Sequence, residues 1–355
     1  MNRSILITVV VIIVVILAVG IAAGIYIGMK GTSTTTLTPT STSSNISSTS
    51  SSAASNSSNV KPIQIVAAEN FWGSLASQLA GVYGNVTSIV TDPNTDPHQY
   101  QSNPADAIAI ANAQLVIING MDYDTWASLL INASNTPGQV VLDAQQIVGL
   151  NNAQVATVNP HLWYSPWYVN DTVHAIYNAL VKINPTEKAY FNANYASLNS
   201  SLYTSYMKAE QQLREEYGGN SSTVVGGVLR YYSGGTNITA TESIVQFLAN
   251  ATGLNIVTPV SFMFAVAEGN DPAPADIATF QQQLSLGNQS VRCLVYNVQT
   301  VMSVTQQLKV VATQYQIPIT FVSETIQPPT LPFQAWQEGE VAGLANCLNS
   351  IALGN

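Results

Sequence analysis

Residues 91–126 read TDPNTDPHQYQSNPADAIAIANAQLVIINGMDYDTW, and the order of turns and apolar runs within them decides the fold class. The Asp92-Pro93 and Asp96-Pro97 pairs keep the chain out of helix. Asn103 is an N-cap residue type and Pro104 suits a first helical position, so a helix is expected over PADAIAIANA. The run QLVIING then reads as a buried strand, and DTWASLLINA as the next helix. Helices alternating with short apolar strands in this way make a parallel sheet with crossover helices.

The rhythm extends in both directions. IQIVAA, FWGSLASQLAG and VTSIVT precede the stretch and QVVLDA follows it. It returns after Ser221 as STVVGGVL, SIVQFLANATG, LNIVTPV, PADIATFQQQL, VRCLVYNV, VTQQLKVVATQY and IPITFVS, closed by a helix near Phe333 to Leu353. From Lys61 onward the chain is too long for one typical core and suits two α/β lobes. Between them, residues 185–217 start with Pro and contain no further Pro or Gly, which predicts one helix roughly 48 Å long. The expected layout is an N-terminal lobe over 61–184, a connecting helix over 185–217 and a C-terminal lobe over 218–355.

Ile5 to Met29 runs 25 residues without a charge, roughly 38 Å as a helix. That length spans a bilayer, so residues 1–30 are expected to be an uncleaved transmembrane anchor. A secretory signal is the rival reading, although its apolar region would be about 7–15 residues. Residues 31–60 are almost all Ser, Thr, Ala and Asn and cannot bury enough apolar surface to fold, so they read as a disordered Ser/Thr-rich linker. Asn-X-Ser/Thr sequons at Asn45, Asn56, Asn85, Asn132, Asn170, Asn199, Asn220, Asn237, Asn250 and Asn288 suggest an exported, glycosylated domain outside the cell.

Charged residues make up 8% of the chain against a usual ~25%, with a net charge of −9. Nucleic acid is excluded as a natural partner. A charge-poor surface fits a protein that faces acid. The two cysteines, Cys293 and Cys347, suit an oxidising exterior, either as one disulfide or as two buried thiols.

Ligands of open α/β sheets collect at the carboxyl ends of strands. His98 lies there, after VTSIVT, and His161 lies in the aromatic, Pro-bracketed loop VNPHLWYSPWYV. The third histidine, His174, falls inside a helical pattern and reads as a packing or solvent-facing residue. A single loop histidine is more often a hydrogen-bonded residue than a metal ligand.

The joint order of Asp96-Pro97-His98-Gln99-Tyr100, Asn119-Gly120, Asp124 with Trp126, and Asn159-Pro160-His161-Leu162-Trp163 resembles the ZnuA/TroA-like metal receptors of ABC importers. The resemblance runs from Lys61 to the C-terminus. It implies two lobes joined by a long helix, one divalent ion between them (zinc or manganese, possibly iron) and delivery to an ABC permease by a receptor that is expected to be a monomer. His98 and His161 would be ligands, with Glu242 third, counted back from Leu254, and Glu324 fourth, in ITFVSETI. A Glu in third place tilts the choice toward manganese, and metal loading would draw the lobes together. Acid is expected to release the ion, steeply between about pH 7 and 5, because ligands must be deprotonated. The resemblance also implies that Cys293 and Cys347 are bonded and that Asp271 is a structural carboxylate. Asn297 stands where many relatives have Glu, and the His-rich loop of many zinc receptors is absent. A surface adhesin of the same fold is the alternative function. A metal-dependent hydrolase is less favoured, since neither H-E-x-x-H nor a nucleophile elbow occurs.

Overall fold

The computed structural model describes residues 61–150, 159–219, 221–225 and 228–350. The expected anchor and linker lie outside these residues. Among the described residues no helix is long and apolar enough to cross a membrane.

The first lobe runs β1 (Ile63–Glu69), α1 (Asn70–Ala80), β2 (Gly84–Val90), α2 (Pro104–Asn112), β3 (Leu115–Ile118), α3 (Thr125–Ser134), β4 (Val140–Asp143) and α4 (Ala144–Ile147), followed by α5 (Pro166–Ile183). Its four strands are parallel in the order β2-β1-β3-β4. The inner strand β3, LVII, is buried at every position, as a strand covered on both faces must be. The helix expected after Asn103 is α2, and its start is a capping box: Asn103 accepts from Ala105 N and Asp106 N, and Asp106 accepts from Asn103 N.

The second lobe holds β7 (Asn237–Ala240), α8 (Gln246–Thr252), β8 (Asn255–Ile256), α9 (Val260–Ala267), α10 (Pro274–Ser285), β9 (Leu294–Asn297), α11 (Ser303–Gln314), β10 (Ile319–Val322) and α12 (Phe333–Asn349). Before it comes a hairpin, β5 (Ser221–Val225) with β6 (Val228–Ser233). The parallel order is β10-β9-β7-β8, which repeats the first lobe's topology strand for strand. STVVGGVL, expected in this sheet, instead pairs antiparallel in the separate hairpin. The sheet begins with β7, whose sequence, NITA, looks too polar for an inner strand although Thr239 is fully buried. Asp271 is exposed and α10 is capped by Ala273, so Asp271 makes no helix-start contact; Asp276 instead accepts from Ser261 Oγ.

The connecting segment also differs from a single straight helix. It consists of a short turn at Pro185–Glu187, α6 (Lys188–Leu202), a π-type turn at Tyr203–Met207 and α7 (Lys208–Tyr217). Ser205 is non-helical at φ −102° and ψ −106°. The break is local competition for carbonyls: Thr204 Oγ1 donates to Ser200 O and Ser205 Oγ to Ser201 O. Tyr206 is thereby turned into the core, with its ring edge to face against Phe333. One hydrophobic cluster runs through Ile65 and Trp72, Trp163 and Tyr206, to Ile238, Val295 and Leu344, so the lobes share a continuous core. Cys293, just before β9, is disulfide-bonded to Cys347 on α12.

Candidate metal centre

The carboxyl ends of the two parallel sheets meet at a buried cluster formed by His98, His161, Glu242 and Glu324. His98 Nε2 lies 3.5 Å from Glu324 Oε2. His161 Nε2 lies 3.9 Å from Glu242 Oε2 and 3.8 Å from Glu324 Oε2. Donor atoms of His98, His161 and Glu324 fall within 4.8 Å of one another. His161, Glu242 and Glu324 are fully buried, and the His98 side chain is 12% exposed. His174 is exposed on α5 beside Tyr177 and Tyr195, away from this cluster.

Each histidine is oriented by the turn that carries it. Asp96 caps the turn Pro97–Gln99 by accepting from His98 N at 3.0 Å, which is the structural use of the second Asp-Pro pair. Asn159 Oδ1 accepts from His161 N at 2.9 Å and also contacts His161 Nδ1. A proton on Nδ1 is thereby satisfied, and Nε2 keeps its lone pair toward the cluster, as a metal-binding imidazole requires. The Nε2 atoms of His98 and His161, and Glu242 Oε2, are buried without a hydrogen-bond partner. Buried polar atoms are rarely left so; the two imidazole nitrogens lie with Glu324 in one group that fits an ion, and Glu242 Oε2 borders it through His161, outside the mutual 4.8 Å set.

The carboxylates are held mainly by their own lobe. Asn297 Nδ2 donates to Glu242 Oε1 and to Glu324 Oε1, both at 2.8 Å. Thr300 Oγ1 donates to Glu324 Oε1 at 2.7 Å, and Tyr123 OH, from the first lobe, to Glu324 Oε2 at 2.8 Å. Burial pushes the Glu242 carboxyl up to about 8, helped by the Glu324 charge and opposed by His98. Burial also raises Glu324, but the facing His98 and His161 imidazoles and the Thr300 hydroxyl outweigh it and hold that carboxyl well below its usual range.

Asn119-Gly120 ends β3 and supports this centre. Gly120 has φ +73°, and a Cβ there would meet Asp143 Oδ1 at 2.5 Å, so glycine is required. Asn119 Nδ2 donates to Pro160 O at 2.9 Å, bracing the His161 loop, and Asn119 Oδ1 accepts from Trp72 Nε1. Asp124 accepts from Asn119 N at 2.6 Å and Gly120 N at 3.0 Å; burial nonetheless raises it to about 7. Sequence reasoning did not identify Tyr123, Thr300, Gln299 or the buried Glu69 as part of this region. Tyr123 lay inside the decisive stretch, but the left-handed turn at Met121 and Asp122 that precedes it was not legible in the sequence.

The sequence profile for "Zinc-uptake complex component A periplasmic", ZnuA, matches residues 65–347. The chain belongs to the ZnuA family. Among curated relatives, the iron-binding protein YfeA of Yersinia pestis is 28% identical over 162 residues, covering 45% of this chain and 50% of that protein. The manganese-binding lipoprotein MntA of Halalkalibacterium halodurans is 27% identical over 139 residues, covering 39% and 45%. The chain thus matches about half the length of these relatives. Among solved structures, the solute-binding protein FpvC of Pseudomonas aeruginosa in complex with Mn2+ superposes with a TM-score of 0.63 at 18% identity, covering 82% of this chain and 100% of that one. That likeness concerns the fold.

Proposed function

We propose that this ZnuA-family chain is a receptor that captures one divalent transition metal outside the cell and delivers it to an ABC permease. The observation that supports the reading most is the buried group of His98, His161 and Glu324 donors within 4.8 Å of one another, with both imidazole Nε2 atoms lacking a hydrogen-bond partner and Glu242 Oε2 3.9 Å from His161. Two imidazoles and two carboxylates suit Zn2+, Mn2+ or Fe2+, and the equal share of hard oxygen ligands favours manganese over a nitrogen-rich zinc site. Both lobes contribute ligands, so the ion lies at their junction. In this reading Ile5–Met29 is a single-pass anchor, residues 31–60 a stalk that lets a monomeric domain reach the permease, and the sequons sites of glycosylation. The continuous core confines any closing motion to the ligand loops.

Native mass and metal analysis of the full chain, purified without chelator, test the proposal. One ion per chain, lost on replacing His161 with Ala, supports it. Absence of a bound ion after exposure to Zn2+, Mn2+ and Fe2+ overturns it. Metal uptake in a deletion strain separates transport from adhesion: normal uptake with lost surface attachment favours the adhesin.

A further inference from the structure

The loops carrying His98 and Glu324 belong to different lobes, and one buried side chain bonds to both. Gln299 follows β9 and is 8% exposed. Its Oε1 accepts from Glu324 N at 2.7 Å, Thr325 N at 3.0 Å and Thr325 Oγ1 at 3.2 Å. Its Nε2 donates across the lobes to Thr95 O at 2.9 Å. Asn297 Oδ1 fixes the Gln299 backbone by accepting its N–H at 2.9 Å. Thr95 N closes a turn on Asp92 O, and the next residue, Asp96, accepts from His98 N. The carboxamide is planar, so an oxygen held by three donors aims the NH2 group at Thr95.

The other ligand loops have separate ties across the lobes. Asn70 exchanges two hydrogen bonds with the backbone of Ile326, Tyr164 OH donates to Ser323 O, and Asn159 Nδ2 donates to Ser243 O. Among the described residues, the Gln299 to Thr95 contact is the hydrogen bond that joins residues 91–99 to the second lobe. His98 is also the one partly exposed member of the cluster. We propose that Gln299 is a positioning residue that acts as a latch: it holds the His98 loop against the second lobe, couples that loop to Glu324, and sets the rate at which an ion leaves. The inference rests on the metal-receptor reading. One such hydrogen bond corresponds to a change of about fivefold in the open population of the loop.

Two substitutions separate the latch from simple support of Glu324. Gln299→Glu keeps an oxygen for the Glu324 and Thr325 N–H groups but removes the donor to Thr95; Gln299→Leu removes both. Hydrogen exchange of the metal-free full chain at pH 8 should show residues 92–100 losing protection about fivefold in both variants. Peptides over 323–326 should lose it only in the leucine variant. Zn2+ release into excess chelator should be at least about fivefold faster for Gln299→Leu than for the wild type. Wild-type protection of residues 92–100 in Gln299→Glu, or an unchanged release rate in Gln299→Leu, would overturn the latch. A wild-type chain that binds no zinc, manganese or iron overturns the receptor reading instead, and the exchange data still decide whether Gln299 holds the loop.

Discussion

Loading the centre should release a proton from Glu242, and its amount can be worked from the geometry. Burial holds that carboxyl near 8 in the metal-free protein, whereas an ion at Oε2 requires the carboxylate. The deprotonated fraction is about one half at pH 8 and about one eleventh at pH 7. Apparent affinity should therefore fall about fivefold over that unit, or about 1 kcal/mol, and approach tenfold per unit below it. Calorimetric titration with Mn2+ at pH 7 and 8, in buffers of different ionisation enthalpy, reads both the affinity and the protons displaced. Glu242→Gln keeps an oxygen for Asn297 Nδ2 but cannot titrate, so its affinity should be lower at pH 8 and change little between the two values. A fivefold drop that survives in Glu242→Gln would refute the assignment, as would a wild-type affinity that is flat over the same unit.

Ala at His98 or His161 should weaken Mn2+ binding by more than about 100-fold, beyond the 10–100-fold usual for partners outside the coordination shell, while His174→Ala leaves the calorimetric affinity unchanged. Metal-free protein should melt at higher temperature at pH 5 than at pH 8. Glu242 and Glu340, the latter buried and bonded to Ser323 and Trp336, are both raised to about 8, so above the unfolded value near 4.5 each costs stability at up to about 1.4 kcal/mol per pH unit until pH passes 8. Glu324 works in the opposite sense, but its contribution is complete above its unfolded value and is lost only at lower pH, so it is level across this window. A melting temperature that climbs from pH 5 to 8 would contradict this account. Cys293→Ser with Cys347→Ser, which opens a separation of 54 residues, should cost about 4 kcal/mol on the chain-entropy estimate, measured by denaturant unfolding under oxidising conditions.

The parts legible in the sequence were those set by local chemistry. Asn103, Pro104 and Asp106 specify a helix start by themselves, and Asp96 orients His98 from two residues away. Strands whose identity depends on burial were harder to read. β7 carries an asparagine, Asn237, and a threonine, Thr239, and only its neighbours render the threonine buried, while β5 and β6 carry the valines of an inner strand yet pair only with each other. The break at Ser205 arises from hydroxyls bonding back to carbonyls, a competition that the absence of Pro and Gly did not reveal. Gln299 and Tyr123 escaped notice, and Asn297 was read only as a departure from the family pattern, because each acts on a residue 24 or more positions away, through contacts that exist only once both sheets have formed.

The repeated strand order places equivalent sheet ends opposite each other, yet their donors are chemically unlike, with imidazoles on one side and carboxylates on the other. A half-site of nitrogen donors alone would prefer late metals such as copper and nickel, whereas a half-site of oxygens would accept manganese but also magnesium and calcium. In the proposed metal site, discrimination is therefore a property of the assembled pair. Neither sheet can be tuned toward one metal without changing what the other must reject, while the sheets themselves stay untouched because every donor sits on a loop. Under the proposed receptor reading, loop substitution alone can change the cargo at almost no cost to the core.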